Sequence, residues 1–281
     1  MPNRREFLVS TAGALALSSL PHRLSGLLPR AQKLDRIGVQ LYTLRHEMEL
    51  DFEATIRRVA GIGFQEVEFA GYFGRSPSQV HELLEELKLV SPSAHMPYES
   101  LETNWQEILD NARTIGHEYA LIAWTPVEAR KTVDDWKRIA EKFNRAGEAA
   151  RRAGLKFGYH NHDFEFAPIE GRVPFDVLLA ETDPALVKIE MDLYWITLGG
   201  GDPLAYFQQY PGRFPMVHVK DLKKGGSPQM VDVGAGDINF KAIFARREQA
   251  GIQHYFVEHD EPADSWASVA TSYRYLRGLE F

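Results

Sequence analysis

Four residues that commonly bind metals stand at the ends of short apolar runs in the second half of the chain: His160, Asp192, His218 and Glu258. Two imidazoles and two carboxylates suit Mn²⁺, Co²⁺, Zn²⁺, Fe²⁺ or Mg²⁺, and they leave coordination positions open for substrate oxygens. The chain contains no cysteine, so any metal must be held by histidines and carboxylates. We therefore predict that these four side chains bind one divalent metal ion.

A barrel of alternating strands and helices would bring the four residues together. From Ile37 onward, β-rich runs alternate with longer helical patterns. Eight of each in about 250 residues are typical of a (β/α)8 TIM barrel, here a single α/β domain over residues 31–281. The predicted strands, one to eight, are 37–42, 65–69, 89–95, 119–124, 155–161, 187–192, 215–220 and 254–259. The predicted helices are 51–60, 78–87, 101–115, 133–153, 174–180, 203–210, 240–250 and 264–276.

The order of polar and apolar residues favours the barrel over a doubly wound open sheet. In strand six, residues 187–192, apolar and polar side chains alternate, and we expect the same parity in strands seven and eight. One strand face then packs on helices while the other places polar groups inside the barrel. An open sheet would be apolar on both faces and would need a glycine-rich first turn, which Val39-Gln-Leu-Tyr-Thr43 lacks. The active site is expected where the polar groups gather, at the C-terminal strand ends.

Six runs of the sequence resemble the sugar phosphate isomerase/epimerase family. This is the group of xylose-isomerase-like TIM barrels that also includes endonuclease-IV-type enzymes, and the resemblance extends over essentially the whole chain after residue 35. The runs are Gly158-Tyr-His-Asn-His-Asp-Phe-Glu-Phe166, Glu190-Met-Asp-Leu-Tyr-Trp195, Val217-His-Val-Lys-Asp221, Val257-Glu-His-Asp260, Gly234-Ala-Gly-Asp-Ile-Asn-Phe240 and Val67-Glu-Phe-Ala-Gly71. They are specific for the superfamily and say little about the substrate.

The resemblance implies a metal-ligand set of Glu, Asp, His and Glu from strands five to eight. Asp192, His218 and Glu258 match this set, whereas His160 stands where many relatives have a glutamate. In the epimerases, the carboxylates of strands five and eight face each other across the metal and exchange a proton next to a carbonyl. Here Glu258 is the one that remains, and His162 competes with His160 as the ligand from strand five. Relatives with a His-x-His strand five include inosose dehydratases and lyases of 3-keto-glycosides.

Three further residues are predicted to be catalytic together with Glu258. Lys220 lies two residues past His218 on the same face, where it could stabilise an enolate oxygen, act as an acid or base, or form a salt bridge to a carboxylate such as Glu190. His162 could bind a substrate hydroxyl, and His95, at the end of strand three, is a candidate acid or base.

Three other residues are predicted to bind substrate. Glu68, at the end of strand two, could bind a hydroxyl or His95, or be a structural carboxylate of the barrel. Trp195 could stack on a sugar ring or simply pack, and Glu165 could orient His162 or lie at the rim.

A glycine-rich turn at Gly234 and Gly236 raises the question of phosphate binding. Its backbone N–H groups could bind a phosphate, or the turn could simply connect a strand to a helix. No Lys/Arg cluster accompanies the turn. Phosphorylated sugars are also scarce outside the inner membrane, where the export signal described below would bring the protein. We therefore expect an unphosphorylated sugar, glycoside or cyclitol as the substrate.

The first thirty residues form a separate segment. Arg4 and Arg5, followed by Phe7-Leu8 and an uncharged stretch to Leu20, resemble a twin-arginine export signal. The stretch is too short for a stable membrane anchor. We therefore predict that residues 1–30 are an export signal and linker and that the protein uses the twin-arginine export machinery to reach the periplasm or another exported location. The sequence leaves open whether the protein forms a homo-oligomer.

These observations predict a metal-dependent sugar isomerase or epimerase that removes a proton next to a carbonyl, with a lyase or dehydratase of the same superfamily as the alternative. A non-catalytic sugar-binding barrel is the alternative from another class, and it has little use for four metal-directed groups plus a lysine. The net charge of −7 argues against nucleic acid as a partner and so against an endonuclease.

Overall fold

Within residues 31–281, which are the residues described by the computed structural model, eight parallel strands close into a barrel. The predicted export signal at residues 1–30 lies outside the described residues. The barrel strands are β1 (Gly38–Gln40), β2 (Glu66–Phe69), β3 (Val90–Met96), β4 (Tyr119–Ile122), β5 (Lys156–His160), β6 (Val187–Asp192), β7 (Met216–Val219) and β10 (His254–Val257). They run in the order β1-β10-β7-β6-β5-β4-β3-β2 around the barrel. The predicted TIM barrel is confirmed.

Helices follow the barrel strands and begin at residues that satisfy their free N–H groups. Asp51, Ser76, Thr132 and Asp264 each accept a hydrogen bond from a backbone N–H in the first turn of the helix that follows. The helices are α1 (Arg45–Leu50), α2 (Phe52–Ile62), α3 (Pro77–Leu87), α4 (Ser100–Thr103), α5 (Trp105–Ile115), α6 (Val133–Arg152), α7 (Pro174–Glu181), α8 (Leu193–Leu198), α9 (Pro203–Gln209), α10 (Phe240–Phe244), α11 (Arg247–Ala250) and α12 (Ser265–Gly278). None of these helices is long and apolar enough to cross a membrane.

Several elements differ from the prediction. The helices predicted over 101–115 and 240–250 are each divided into two, and α1, α8 and an antiparallel hairpin were missed. The hairpin pairs β8 (Asp221–Lys223) with β9 (Gln229–Val231) directly after β7. Short 3-10 helices at Leu41–Leu44, Val127–Ala129 and Phe164–Phe166 complete the loops. These additions lie beyond strand ends, where side-chain caps and loop contacts rather than hydrophobic periodicity decide the conformation.

The inner face of the barrel is apolar in the middle and polar at both ends. Tyr119, Leu121, Met216 and Phe256 form a buried cluster inside it, so the expected polar parity was wrong at Met216 and Phe256. A β-carbon at Gly38 would lie 2.5 Å from the Phe256 ring, which shows why this strand position has no side chain. The apolar layer closes the barrel below, and the polar groups above it can meet only at the C-terminal mouth.

Candidate active site

Four strands deliver the predicted metal ligands to one place at the mouth of the barrel. His160 and Asp192 are the last residues of β5 and β6, His218 is paired in register with Asp192, and Glu258 directly follows β10. All four side chains are buried, with between 0% and 5% of their surface exposed. Charged and imidazole groups at this depth must bind each other or a ligand, because isolation from water is costly.

Three of these residues form a compact group, which we call the outer donor set: Asp192, His218 and Glu258. One ligand atom from each lies within 4.8 Å of the others. His218 Nδ1 is 2.6 Å from Glu258 Oε2 and 3.9 Å from Asp192 Oδ2. His160 approaches this set through Nε2, which is 3.8 Å from Asp192 Oδ2.

A second group, the inner cluster, lies deeper in the barrel and consists of His95, His160, Glu190 and His218. Glu190 Oε2 is 2.8 Å from His95 Nε2, 3.1 Å from His218 Nε2 and 3.3 Å from His160 Nδ1. The sequence prediction missed Glu190 as a site residue. Its position two residues before Asp192 on the same strand face was the signal that could have found it.

The chemistry of the outer donor set fits a divalent metal. Asp192 Oδ1 accepts the Trp195 N–H at 2.8 Å and so caps α8, while Oδ2 is buried and accepts no hydrogen bond. On its other nitrogen, His218 is bound by Glu68 Oε2 at 2.6 Å. A carboxylate behind a histidine ring is the usual way to orient that ring toward a metal. The open oxygen of Asp192 and the oriented ring of His218 are what a metal site requires.

Burial and neighbouring charges set the protonation of these groups. Burial and the nearby His218 hold the pKa of His160 well below its usual value, so His160 is a neutral imidazole, the form that binds metal. Burial raises the pKa of Asp192 to about 6. Burial opposes ionisation of Glu258, but Lys220 and His218 outweigh it and hold its pKa well below the usual range.

Lys220 is a fixed cation beside the outer donor set. Its ammonium lies 2.8 Å from Glu258 Oε2, 2.7 Å from Asp260 Oδ1 and 3.2 Å from Asp192 Oδ2, and its partners do not include Glu190 as one alternative suggested. Although burial favours the neutral amine, these carboxylates raise the pKa of Lys220 well above its usual value. These contacts therefore disfavour an acid/base role of Lys220 through a lowered pKa. Stabilisation of an enolate oxygen by its positive charge stays its predicted role.

His95 and His162 both line the cavity at the mouth, on either side of His160. The ring centres are 5.1 Å apart for His95 and His160 and 5.0 Å for His160 and His162. Burial lowers the pKa of His162 to about 3, and its buried Nδ1 has no hydrogen-bond partner. For His95, burial is outweighed by Glu68 and Glu190, which raise its pKa. His162 is therefore a neutral imidazole, whereas the two carboxylates beside His95 favour its protonated form.

The three predicted substrate-binding residues lie behind the cavity or beside it. Glu68 is fully buried, binds Gln40, Ser93 and His218, and lies 3.3 Å from His95 Nε2 through Oε2. It therefore contacts His95, as one alternative proposed, and it does not line the cavity. Glu165 is also fully buried. It accepts the Tyr159 hydroxyl and the backbone N–H of His162, so it orients His162 from below and does not lie at the rim.

Trp195 packs against the site without lining the cavity. Its ring centre is 5.5 Å from that of His162, and Lys220 Nζ is 5.6 Å from the centre of the indole. These contacts limit the movement of both catalytic candidates, and the packing alternative describes Trp195 better than stacking on substrate.

The glycine-rich turn after β9 is occupied by a side chain of the protein itself. Asp221 Oδ2 accepts the N–H groups of Gly234 and Gly236, both at 2.9 Å, and Oδ1 accepts those of Leu222 and Ile238 at 2.8 and 3.2 Å. A β-carbon at Gly236 would collide with this carboxylate. Because the N–H groups already bind an internal anion, the turn offers them to no phosphate, and the structural alternative applies.

The cavity above the donor sets has a volume of about 760 Å³, and its two sides differ. The loops after β5, β7 and β10 contribute polar side chains, while those after β1 to β4 contribute mainly apolar ones. The polar lining is His95, His160, His162, Lys220, Glu258, Asp260 and Glu261, and the remainder is Tyr42, Ala70, Gly71, Tyr72, Met96, Pro97, Ile108, Ala123 and Trp124.

The family follows from a match that covers most of the barrel. The family model described as xylose isomerase-like TIM barrel matches residues 56–278. The chain belongs to this family. The match includes all the residues of the outer donor set and of the inner cluster, so both lie in the part of the chain that this family defines.

Relatives of the chain in the xylose isomerase-like family include proteins with different names. An inosose dehydratase of Lacticaseibacillus casei is 25% identical over 249 residues, or 76% of this chain and 83% of the relative. An inosose dehydratase of Clostridium tetani is 28% identical over 232 residues, or 70% of this chain and 77% of the relative. The crystal structure of a sugar phosphate isomerase/epimerase from Parabacteroides distasonis has a TM-score of 0.77 and 28% identity, covering 87% of this chain and 98% of that one.

Proposed function

We propose that this protein is a metal-dependent carbohydrate enzyme that removes a proton from the carbon next to a carbonyl of an unphosphorylated keto-sugar, keto-glycoside or cyclitol. The observation that carries the proposal is the open Asp192 Oδ2 in a buried outer donor set, at the floor of a cavity that holds a neutral His162. A binding module has no need for a proton acceptor beside a metal site.

The residues would divide the chemistry as follows. Asp192, His218 and Glu258, with His160, would hold a divalent ion, which supplies Lewis-acid polarisation of the substrate carbonyl. Lys220 balances negative charge that develops on the same oxygen. We assign the proton transfer to His162, because it is a neutral imidazole that lines the cavity, whereas Glu258 is bound by both His218 and Lys220.

Elimination is the outcome that this arrangement favours. Epimerisation by two carboxylates needs one on each face of the substrate, and the strand-five position is the imidazole of His160, a poor proton shuttle when it binds metal. In elimination, His162 takes the proton from the α carbon. The electron pair of the broken C–H bond forms the double bond between the α and β carbons, and the bond between the β carbon and its oxygen breaks. The departing oxygen takes its proton from His95, whose pKa is raised by Glu68 and Glu190.

Isomerisation or epimerisation is the second candidate, favoured by the Parabacteroides distasonis structure at 28% identity. An unphosphorylated substrate is supported by Asp221, which fills the glycine-rich turn, and by the cavity lining. Of the described residues that line the cavity, Lys220 is the one lysine or arginine, and three carboxylates surround it. The exported location stays a prediction.

The test is incubation of metal-loaded protein in D₂O with 3-keto-glycosides, keto-sugars and a keto-cyclitol, followed by NMR. We expect release of the β substituent and a new alkene signal. Deuterium at the α carbon of an intact skeleton would instead establish the second candidate, and no change in any substrate would establish the sugar-binding barrel.

Matched histidine variants assign the base. We expect His162→Gln to lower kcat by about 10² to 10⁴ with the metal content unchanged. The control, His81→Gln, alters an exposed histidine on α3 and should retain full activity. Full activity of His162→Gln would transfer the role to Glu258.

A further inference from the structure

The residues on the apolar side of the cavity take no part in the reaction proposed above. We define the apolar wall as Tyr72, Met96, Ile108 and Trp124, contributed by the loop after β2, by β3, by α5 and by the loop after β4. The outer donor set lies toward the other side of the barrel, on β6, on β7 and directly after β10. A sugar bound through its oxygens at the metal would therefore leave this wall uncovered.

The cavity is too large for a sugar ring alone. Its volume is about 760 Å³. At ~30 Å³ for each liquid water this corresponds to roughly 25 waters, whereas a hexose has about twelve non-hydrogen atoms, each smaller than a water. Pockets in this size range usually hold ligands of drug size. A second group attached to the sugar would occupy the remaining space.

The apolar wall offers few hydrogen bonds to that second group. Met96 and Ile108 have no hydrogen-bonding donor, and the Tyr72 hydroxyl is already bound to His117 Nε2 at 2.9 Å. A second sugar ring would have to give up the water around its hydroxyls without gaining new partners, which is unfavourable. A flat apolar group has no hydrogen bonds to water to lose when it packs against such a surface.

Two aromatic side chains that line the cavity are exposed: Trp124, which belongs to the apolar wall, and Tyr42. Trp124 is 46% exposed and Tyr42 is 41% exposed, both high values for large aromatic residues. The Arg45 guanidinium lies 4.3 Å from the centre of the Tyr42 ring, and Arg130, which donates to the Thr125 carbonyl, lies 5.8 Å from that of Trp124. Because both rings are more than a third exposed, part of their surface is available for stacking on a flat apolar group.

His95 connects the wall to the chemistry. It belongs to the inner cluster, lines the cavity and is followed along β3 by Met96. The His95 ring centre lies 5.1 Å from that of His160 and 5.2 Å from that of His218, so a group attached to a sugar at the metal site and extending past His95 reaches the apolar wall. From this continuity we propose that the substrate is a glycoside with an aromatic aglycone, whose ring binds the apolar wall and Trp124 while its sugar lies at the metal; this rests on the proposed function.

A double comparison of variants and substrates tests the aglycone site. The substrates are phenyl and methyl 3-keto-glucosides and a 3-keto-disaccharide, and the variant is Trp124→Ala at an exposed residue. We expect kcat/KM for the phenyl glycoside to fall at least tenfold through KM, and that for the methyl glycoside to change less than twofold. Phenol is more acidic than methanol and is therefore the better leaving group. This difference affects the wild type and the variant equally, so it cancels when each substrate is compared between the two enzymes.

The control is Trp266→Ala on α12, a half-buried tryptophan outside this cavity, which should change neither value by more than twofold. Equal losses for the phenyl and methyl glycosides, or the largest loss for the disaccharide, would overturn the aglycone site while leaving the elimination intact.

Binding without turnover separates the two proposals. Unreactive phenyl glucoside is titrated calorimetrically into the wild type and into Trp124→Ala, and we expect Kd to rise at least tenfold in the variant. If no keto-glycoside reacts but this difference appears, the reaction is wrong and the aromatic site stands. An unchanged Kd overturns the aromatic site whatever the reaction is.

Discussion

Lys220 Nζ lies 3.2 Å from Asp192 Oδ2, yet that oxygen accepts no hydrogen bond. The distance is that of an ion pair and the angle is not that of a hydrogen bond, so the lone pairs of Oδ2 stay available. The ammonium also contacts Glu258 at 2.8 Å. Lys220 therefore stabilises the two buried carboxylates and at the same time repels any cation that they bind.

This relationship predicts that Lys220→Met binds metal more tightly than the wild type. Removing one positive charge next to two ligands removes a repulsion of at least ~1 kcal/mol at the effective dielectric of a protein site, or about fivefold in Kd. Competition with a chelating dye measures Kd, and Lys223→Met, an exposed lysine on β8, is the control. Weaker metal binding in Lys220→Met would show that the ion lies elsewhere.

Two carboxylate variants decide which cluster holds the metal. Asp192→Asn should lose the ion, because it neutralises a ligand whose open oxygen faces the outer donor set. Glu190→Gln should keep it with an affinity about 10- to 100-fold lower, as expected for a group that orients a ligand. Elemental analysis after dialysis measures the metal content. The reverse pattern, with metal retained by Asp192→Asn and lost by Glu190→Gln, would assign the ion to the inner cluster.

The buried His117 makes stability depend on pH. Its ring lies between the Tyr72 hydroxyl and the Ser91 carbonyl, and burial lowers its pKa from 6.5 to about 4. Between these values the unfolded chain binds a proton that the folded protein does not, so this contribution is complete above pH 6.5 and is lost as the pH falls toward 4. The loss is about 3 kcal/mol at 1.36 kcal/mol per pKa unit.

Urea unfolding of the wild type and of His117→Gln across this pH range measures the effect. The free energy of unfolding of the variant should decline less steeply between pH 6.5 and 4. Parallel pH profiles for the two proteins would show that His117 is protonated in the folded state.

Asp221 is predicted to be a main support of the loop between β8 and α10. Asp221→Asn replaces a carboxylate oxygen that accepts N–H groups by an amide group that donates, and leaves buried donors unpaired. We expect a loss of about 2–4 kcal/mol in unfolding free energy. Denaturant titration measures it, with Asp237→Asn in the same loop as an exposed control that should change the midpoint little. A stable Asp221→Asn would mean that water replaces the carboxylate.

The sequence by itself determined the barrel and the depth at which its ligands lie. Alternation along β6 fixes which side chains point inward, and position along the strand fixes how far each lies from the mouth. This is why Asp192, His218 and Glu258 could be placed at the C-terminal end from strand parity together with the family resemblance. The same alternation contained Glu190, but a charged residue in a strand does not reveal its partner.

Only the tertiary structure decided which polar atoms meet. Strand pairing and the tilt of the strands in the closed barrel determine which positions lie opposite each other. Neither can be read from the sequence of a single strand. They bring Glu190 among three histidines and place Lys220 between Asp192 and Glu258. They also bury Glu68 behind His218 and Glu165 behind His162, the side chains that they orient. They also separate the polar and apolar sides of the cavity, since each side is built from loops far apart in the chain.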